Sequence, residues 1–254
     1  MFKKLVDWSS GYSHLPWRKN RTLYTTLVSE IMLQQTTVGT VLNHFEKFLK
    51  EYPTLKSLAL ATEEELTISW KGLGYYRRAR NLKKACEYIQ KEFKGKIPLD
   101  YETLVKIPGI GDYTASALLS IGGNLPVFAI DANIERVLAR FFKLEFSKGK
   151  ALNLAIKELE KTSKIQKILV YSGPREVNEA LMDLGRNYCK ARAVFCDLCP
   201  LSKNCLSFKD KTTLSYPLVS DASKKKEKNI ELQLLRLLIK RNNEVLCYQK
   251  KKGE

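Results

Sequence analysis

The chain has 254 residues, 44% of them hydrophobic, which is enough for one large domain or two modest ones with a real core. Lysine and arginine number 44 against 27 aspartates and glutamates, and this net charge of +17 favours a polyanionic partner, nucleic acid before an anionic membrane surface. The alternative is a basic surface without a specific partner. No apolar run reaches the ~18 residues of a membrane span, and the N-terminus lacks a secretion signal. The sequence therefore predicts a cytoplasmic protein, nucleoid-associated if it is bacterial.

The spacing of apolar residues predicts helices along nearly the whole chain. Longer helices are expected at 22–50, 76–93, 112–121, 132–143, 147–161 and 174–188. Shorter helices are expected on both sides of Thr62 and after Asp100, since these two residues have the side chains and sequence context of helix caps. No stretch between residues 1 and 210 alternates convincingly like a strand. The sequence therefore predicts an all-α fold.

The composition changes after residue 208. Residues 209–229 are polar and charged and are typical of a linker. Residues 230–254 contain two short apolar stretches that would pair as a β-hairpin about Asn242 and Asn243. Such a hairpin is too short for an independent β domain. Either it belongs to a further domain that this chain lacks, or it packs on the helical body.

Four of the six cysteines lie close together with the spacing Cys-x6-Cys-x2-Cys-x5-Cys. They are Cys189, Cys196, Cys199 and Cys205. Four thiolates bind zinc or an iron–sulfur cluster, and six cysteines in a reducing compartment are better explained by metal than by disulfides. Structural zinc sites usually have two Cys-x2-Cys pairs, whereas this stretch has one, so its compact spacing favours an iron–sulfur cubane.

The segment "IPGIGDYTASALLS" places a Pro-Gly-x-Gly turn before a helix. Glycines at positions 109 and 111 allow a tight turn whose backbone N–H groups, with a helix dipole behind them, suit a phosphate oxygen. Many helix–turn–helix connections use such a turn without binding anything. Between two apolar helical stretches of a basic chain, however, it indicates a helix-hairpin-helix motif.

Two carboxylates stand in apolar surroundings. Asp131 follows the apolar residues 127–130 and begins a helix, so it is a helix N-cap, a partly desolvated functional carboxylate, or both. Glu30, in "LVSEIMLQQT", has apolar helix neighbours that would raise its pKa. The alternative for Glu30 is an ordinary surface glutamate.

In this order, the hairpin, the aspartate and the cysteine spacing resemble the helix-hairpin-helix base-excision glycosylases that carry a [4Fe–4S] cluster. The resemblance covers residues 8 to 208. It implies a two-lobed fold with the active-site cleft between the lobes, and a monomer acting on double-stranded DNA with a mismatch or an oxidised lesion. The implied lobes are 21–126, with the hairpin motif at 101–121, and 1–20 together with 127–208, which holds the cluster. Residues 230–254 would then be a fragment of a Nudix-like C-terminal domain.

Two positions distinguish the endonuclease III and MutY branches of this family. The bifunctional enzymes carry a lysine at the position of Tyr113, and this sequence has none between Lys106 and Lys143, so no local amine is available to form a Schiff base. The strings "SEIMLQQT", "LPWR" and "GLGYYRRARNL" are similar to the MutY branch. The resemblance therefore implies a monofunctional glycosylase that removes adenine paired with 8-oxoguanine or guanine, with no strong lyase activity.

The resemblance also assigns roles to individual residues. The implied catalytic residues are Glu30 as acid, Asp131 as the carboxylate facing the sugar, and Tyr113 and Asn133 as orienting groups, with Tyr113 directed at Asp131 or the sugar. Adenine recognition is assigned to Leu15 and Glu179. DNA contacts are assigned to Gln35 and Tyr75 as wedge residues, to the backbone at Gly109 and Gly111, and to the basic side chains Arg18, Arg77, Arg78 and Arg80. The alternatives are a thymine or uracil mismatch glycosylase of the same superfamily and a non-catalytic iron–sulfur DNA-binding protein.

Overall fold

A computed structural model describes residues 2–219, 240–241 and 244–245. The all-α prediction is confirmed, since helices account for most of the described residues. The α-helices are α1 (Phe2–Ser9), α2 (Leu23–Leu33), α3 (Val38–Leu42), α4 (Phe45–Glu51), α5 (Leu55–Leu60), α6 (Glu63–Ser69), α7 (Arg77–Phe93), α8 (Tyr101–Leu104), α9 (Asp112–Ala117), α10 (Ala132–Phe142), α11 (Lys150–Glu160), α12 (Ser163–Ser172), α13 (Pro174–Asn187) and α14 (Leu206–Lys209). Among the described residues, no helix has the length and apolar character that crossing a bilayer requires.

The chain divides into two compact units, Met1–Ser220 and Asp221–Glu254. In the second unit, β1 (Lys240–Arg241) pairs antiparallel with β2 (Glu244–Val245). The expected β-hairpin is thus present in its strand pairing, while its turn at 242–243 and the rest of the expected Nudix-like fragment lie outside the described residues. All further features belong to the first unit.

The predicted helix caps are present. The Thr62 hydroxyl accepts a hydrogen bond from the backbone N–H of Glu65 at 3.2 Å, and the Glu65 carboxylate accepts one from the Thr62 N–H at 2.8 Å. The Asp100 carboxylate likewise accepts a hydrogen bond from the Thr103 N–H at 2.8 Å. Each bond satisfies an N–H group that the first turn of a helix leaves without an intrahelical partner.

The single helix expected at 22–50 is wrong, because this stretch forms α2, α3 and α4. The break after α2 is stabilised by Arg78, whose Nη1 donates to the carbonyls of Ile31 at 3.0 Å and of Met32 at 2.7 Å, and also to that of Gln34. A buried guanidinium thus satisfies the carbonyl groups that the helix end leaves open. Helices α1 and α12 were not predicted.

Two large clusters of buried apolar side chains and a small third one, formed by Ala117, Ile121 and Ala129, make up the core. The first apolar cluster joins α2, α4–α7 and the hairpin, and in it Phe48 and Trp70 meet edge to face with ring centroids 5.6 Å apart. The second apolar cluster joins α1 and α10–α13. Residues 1–20, which were predicted to belong with 127–208, divide between the two large clusters, since Phe2 joins the second whereas Leu15 and Trp17 join the first.

The segment predicted as a linker at 209–229 is partly packed on the helical body. Tyr216 is buried in the second apolar cluster, and its carbonyl accepts a hydrogen bond from Arg140 Nε at 2.9 Å. The carbonyl of Leu218 accepts one from the N–H of Lys148 at 3.1 Å. The predicted linker therefore begins too early, and residues 220–229 lie outside the described residues.

Candidate active site

A cavity of about 1020 Å³ is lined by residues from elements of both apolar clusters. It brings together most of the side chains predicted to act on DNA. These are Leu15, Arg18, Glu30, Gln35, Tyr75, Arg77, Arg78, Tyr113, Asp131, Asn133 and Glu179. Because these residues come from segments far apart in sequence, the fold rather than local sequence assembles the site.

Glu30 is a buried carboxyl group on the cavity wall, with 6% of its surface exposed. Burial raises its pKa to about 7, chiefly because the ionised form loses hydration, with further contributions from Glu179 and Asp131. The surface-glutamate alternative is therefore wrong. A carboxyl group that titrates near neutral pH is suited to act as a general acid.

The hydroxyl of Tyr113 donates a hydrogen bond to Oε2 of Glu30. The sequence predicted that Tyr113 orients Asp131 or contacts the sugar, and its hydroxyl bonds to Glu30 instead of Asp131. Tyr113 is the second residue of α9, so the hairpin brings its ring to the wall formed by α2. With Oε2 engaged, the proton of a neutral Glu30 has Oε1 as its free position.

Asp131 is both the N-cap of α10 and a lining residue of the cavity, so its two predicted readings are compatible. Oδ1 accepts from the backbone N–H groups of Asn133 at 2.9 Å and Ile134 at 2.7 Å, and Oδ2 accepts from Asn133 Nδ2 at 2.8 Å. Burial raises the pKa of Asp131, whereas these three donors and Arg136 favour its ionised form.

Asn133 is itself held by Arg136, whose Nη2 donates to Asn133 Oδ1 and to the carbonyl of Gly185, both at 2.8 Å. Gly185 lies so close that a Cβ atom there would be 2.5 Å from the Cβ of Asn133. Arg136 Nε also donates to the carbonyl of Cys189 at 2.7 Å. One arginine thus connects the group that orients Asp131 with the first cysteine of the cluster motif.

Arg18 was predicted to contact DNA, but the structure places it in a buried ion pair. Its Nη1 and Nη2 donate to the two carboxylate oxygens of Asp183 at 2.8 and 3.1 Å, and only 8% of its side chain is exposed. Arg21 forms an ion pair with Glu179. Burial raises the pKa of Glu179, and the two nearby arginines oppose that shift.

Arg21 and Asp183 were missed by the sequence analysis. Their sequence spacing could have predicted these ion pairs. Glu179 and Asp183 are four residues apart on one helix face, and Arg18 and Arg21 are three residues apart. Two carboxylates at that spacing on a helix with an apolar face require cationic partners.

Arg78 was also predicted to contact DNA, and this is wrong for a similar reason. Besides its bonds to the end of α2, its Nη2 donates to the carbonyls of Leu73 at 2.9 Å and Gly74 at 3.2 Å. The guanidinium lies 5.7 Å from the ring centroid of Trp70 and 5.6 Å from that of Tyr75. Both of its Nη groups donate inside the protein, so Arg78 stabilises the loop that carries Tyr75 instead of binding phosphate.

Other predicted DNA contacts are exposed. Arg77 and Arg80 lie on the solvent face of α7, and Tyr75 is 64% exposed. Gln35 and Tyr75 have φ angles of 52° and 45°, a left-handed conformation that costs a non-glycine residue about 1 kcal/mol or more. Such strained positions are frequent where a loop presents a side chain to a ligand.

The predicted hairpin joins α8 and α9. Gly109 has φ +88°, and a Cβ there would lie 2.5 Å from the carbonyl oxygen of Asn81 in α7. Gly111 is the N-cap of α9, has φ −98° and ψ 178°, and has open space where a Cβ would be. Of the two positions, only 109 therefore requires a glycine, because of its positive φ and the close approach of α7.

The four clustered cysteines line one small cavity together with Phe195 and Phe208. They are free, half-buried thiols. Buried Arg140 donates to Cys189 Sγ at 3.3 Å and to the carbonyl of Lys190 at 2.7 Å, and so connects α10 with the segment that begins at Cys189. Among the described residues no three histidine, cysteine or acidic side chains are placed to hold a single metal ion. Four thiols around one cavity are the donor set of an iron–sulfur cluster or of a zinc site, so the residues present fit either group.

Comparison with known proteins agrees with this geometry. Residues 28–162 match the family model described as HhH-GPD superfamily base excision DNA repair protein. The adenine DNA glycosylase of Buchnera aphidicola from Acyrthosiphon pisum is 37% identical over 223 residues, which cover 86% of this chain and 62% of that protein. The human adenine DNA glycosylase is 34% identical over 75% of this chain and 36% of that protein. The chain spans 62% to 65% of the length of the Buchnera relatives that it matches.

Solved structures show the same fold. A thermostable thymine-DNA glycosylase superposes with a TM-score of 0.71 at 27% identity, covering 82% of this chain and 94% of that one. Endonuclease III in a non-covalent DNA complex superposes with a TM-score of 0.64 at 24% identity over the same shares, and at that identity shows the fold alone. The match of the family model to more than half of the chain, together with the helical fold and the hairpin, shows that this chain belongs to the HhH-GPD superfamily of base excision DNA repair proteins.

Proposed function

We propose that this protein is a monofunctional DNA glycosylase that hydrolyses the N-glycosidic bond of adenine mispaired with 8-oxoguanine or guanine. The observation that carries the proposal is the pairing of two unlike carboxyl groups on one cavity, Glu30 with a pKa of about 7 and Asp131 at a helix N-terminus. The names of the relatives that match most of the chain support adenine as the base.

The chemistry follows from the two environments. Glu30 donates its proton to N7 of the flipped adenine, so the base leaves as a neutral species when its bond to C1′ breaks. Asp131 stabilises the cationic sugar or adds to it transiently, and a water molecule supplies the hydroxyl group of the abasic product. Asn133 and the α10 N-terminus hold Asp131 towards the sugar, and Tyr113 keeps Glu30 in place.

Tyr113 supports base removal without strand cleavage. A lyase needs an amine that attacks C1′, and Tyr113 stands beside Glu30 where the resemblance expects that lysine. The product is then an abasic site that breaks only on treatment with alkali. Changing Tyr113 to Lys tests the assignment, because a DNA adduct trapped by borohydride supports this placement.

The surface around the cavity suits DNA. Exposed Arg77 lines the cavity and exposed Arg80 follows it on α7, and both provide positive charge for phosphates. Tyr75 and Gln35, which share the cavity lining, fill the space that the flipped adenine leaves in the base stack. Leu15 and Glu179, also on the cavity wall, would contact the flipped base.

The four clustered cysteines are proposed to hold a [4Fe–4S] cluster. When bound, the cluster supplies four iron–thiolate bonds that connect the segment from 189 to 205. The test is iron and sulfide analysis with absorption near about 400 nm. Changing Cys199 to Ser should lower the iron content, whereas changing buried Cys86, which lies alone in α7, to Ala should not. A colourless protein that contains zinc would contradict the proposal.

The decisive experiment compares base release from duplexes that contain 8-oxoguanine:A, G:A, G:T and G:U pairs, scored as alkali-labile sites. Release of adenine alone is expected. Glu30→Gln and Asp131→Asn should bind the 8-oxoguanine:A duplex with wild-type affinity but lose release by at least about 100-fold. Lys161→Met, an exposed change at the C-cap of α11, is the control and should retain activity.

A thymine or uracil mismatch glycosylase is the second candidate, since the thymine-DNA glycosylase superposes with a TM-score of 0.71. Thymine and uracil have no N7, so Glu30 would have no acceptor of the proposed kind. Release from G:T or G:U but not from the adenine pairs would establish this candidate. Binding without release from any pair would favour a non-catalytic DNA-binding protein.

A further inference from the structure

The hairpin carries a negative charge at a place where DNA is proposed to approach. Asp112 directly follows Gly111, is exposed, and precedes Tyr113. A carboxylate there repels phosphate groups unless a cation compensates its charge. In the described residues, no lysine or arginine nitrogen lies within ion-pair distance of Asp112.

Compensation reaches Asp112 through a tyrosine. The hydroxyl of Tyr101 donates to Asp112 Oδ1 at 2.8 Å and accepts from Lys157 Nζ at 3.1 Å. The direction of both bonds is fixed, because an ammonium group can only donate and the single hydroxyl proton must then point to the carboxylate. The ammonium group also lies 4.6 Å from the centroid of the Tyr101 ring, at a cation–π distance.

The three residues connect separate parts of the fold. Tyr101 begins α8, Asp112 begins α9, and Lys157 lies on α11. Helix α11 packs in the second apolar cluster through Leu152 and Ile156, whereas the hairpin belongs to the first. The connection therefore joins the hairpin, which places Tyr113 on Glu30, to the cluster whose helix α10 carries Asp131.

We propose that Lys157, acting through Tyr101, is a positioning residue that neutralises Asp112 and holds the hairpin in its DNA-binding position. The proposal rests on the proposed function, since it concerns the affinity for DNA. A direct contact between Lys157 and a phosphate is the competing explanation. The proposal requires the Tyr101 hydroxyl and the Asp112 carboxylate, whereas a direct contact between Lys157 and a phosphate requires neither.

The experiment measures the Kd of a labelled duplex with 8-oxoguanine opposite 2′-fluoro-2′-deoxyadenosine, which resists base release, at low ionic strength. Lys157→Met and Tyr101→Phe should each raise Kd about three- to fivefold. Lys161→Met removes the same charge at the C-cap of α11, from a lysine paired with Glu158, and should change Kd less than about twofold.

The Asp112→Asn variant distinguishes compensation of the Asp112 charge from a purely structural role of Lys157. In that background Lys157→Met should have less than about a twofold effect, because no carboxylate remains to be compensated. If Tyr101→Phe binds like wild type while Lys157→Met stays weak in the Asp112→Asn background, Lys157 contacts DNA directly and the proposal is wrong. Wild-type binding by both single variants also overturns it, while leaving the proposed function intact. Failure of the unmodified protein to bind any duplex overturns both.

Discussion

Tyr113 donates its hydroxyl proton to Glu30, and this bond opposes the effect of burial on the glutamate. Hydrogen bonding to the charged form favours ionisation, whereas loss of hydration disfavours it. Burial is the larger effect, and the pKa of Glu30 is raised to about 7. The bond therefore lowers the pH at which the proposed acid loses its proton, from the still higher value that burial alone would give.

The pH dependence of base release should be bell-shaped in kcat/KM. Glu30 must be protonated, so the rate should fall as the pH rises through about 7. Asp131 must be ionised and burial raises its pKa, so the rate should also fall on the acid side. Single-turnover release measured from pH 5 to 9 with the enzyme below Kd, where the observed rate is proportional to kcat/KM, checks both limbs, and a rate that still rises above pH 8 would contradict the role of Glu30.

Glu30→Gln should change the pH dependence of stability. A carboxyl group whose folded-state pKa is raised stabilises the fold fully below its unfolded pKa, and that contribution is lost as the pH rises through about 7. The variant lacks this loss, so at pH 8 it should exceed the wild type by about 2–3 kcal/mol in free energy of unfolding. The difference should shrink below pH 5, as measured by urea unfolding at both pH values.

Tyr113→Phe should move the alkaline limb of the rate profile to higher pH. The change removes a donor that favours the ionised glutamate, so Glu30 would hold its proton more tightly. The maximum rate should fall, because the carboxyl group loses its orientation. Tyr101→Phe is the control, since it removes a hydroxyl group that contacts Asp112 instead and should leave the limb in place. An unchanged limb in Tyr113→Phe would show that the bond does not tune the acid.

Substitution of Arg78 should lower the stability of the protein, whereas substitution of its neighbour Arg77 should weaken DNA binding. Arg78→Ala leaves buried carbonyl groups of α2 and the Leu73–Gly74 turn without donors, so it should lower the free energy of unfolding by about 3 kcal/mol or more. Arg77→Ala should leave stability within about 0.5 kcal/mol and weaken DNA binding with a smaller salt dependence. Thermal unfolding and salt-dependent binding of both variants measure the contrast.

The hairpin glycines allow a matched pair of substitutions. Gly109→Ala forces a Cβ against Asn81 at a positive φ and should destabilise the protein by about 2–3 kcal/mol. Gly111→Ala has open space and an ordinary φ, so stability should change by less than about 1 kcal/mol. Equal losses of stability would mean that the close approach to α7 does not limit the hairpin.

Features set by neighbouring residues were predictable, and features set by distant ones were not. Thr62, Asp100 and Asp131 are caps that follow from side chains three residues apart or less. The break in the helix expected at 22–50 depends on Arg78, which lies more than 40 residues further along the chain. Local periodicity contains no information on such a contact.

The same distinction applies to the site. Charge and sequence position assigned Arg18 and Arg78 to DNA, yet Arg18 pairs with Asp183 and Arg78 donates to backbone carbonyls. A basic residue and its buried acceptor become neighbours only on folding, so neither partner is visible in a local pattern. The burial of Glu30 was predictable because its apolar neighbours lie within one helical turn.

The position of Asn133 depends on residue 185 being a glycine without a side chain. Because Gly185 approaches Asn133 so closely, even a methyl group on α13 would displace the amide that holds Asp131. Position 185 should therefore tolerate substitution poorly although it touches neither base nor sugar. Replacing this glycine should therefore strain the contact between α10 and α13 and displace Asp131 together with Asn133, so on the proposed function base release should fall.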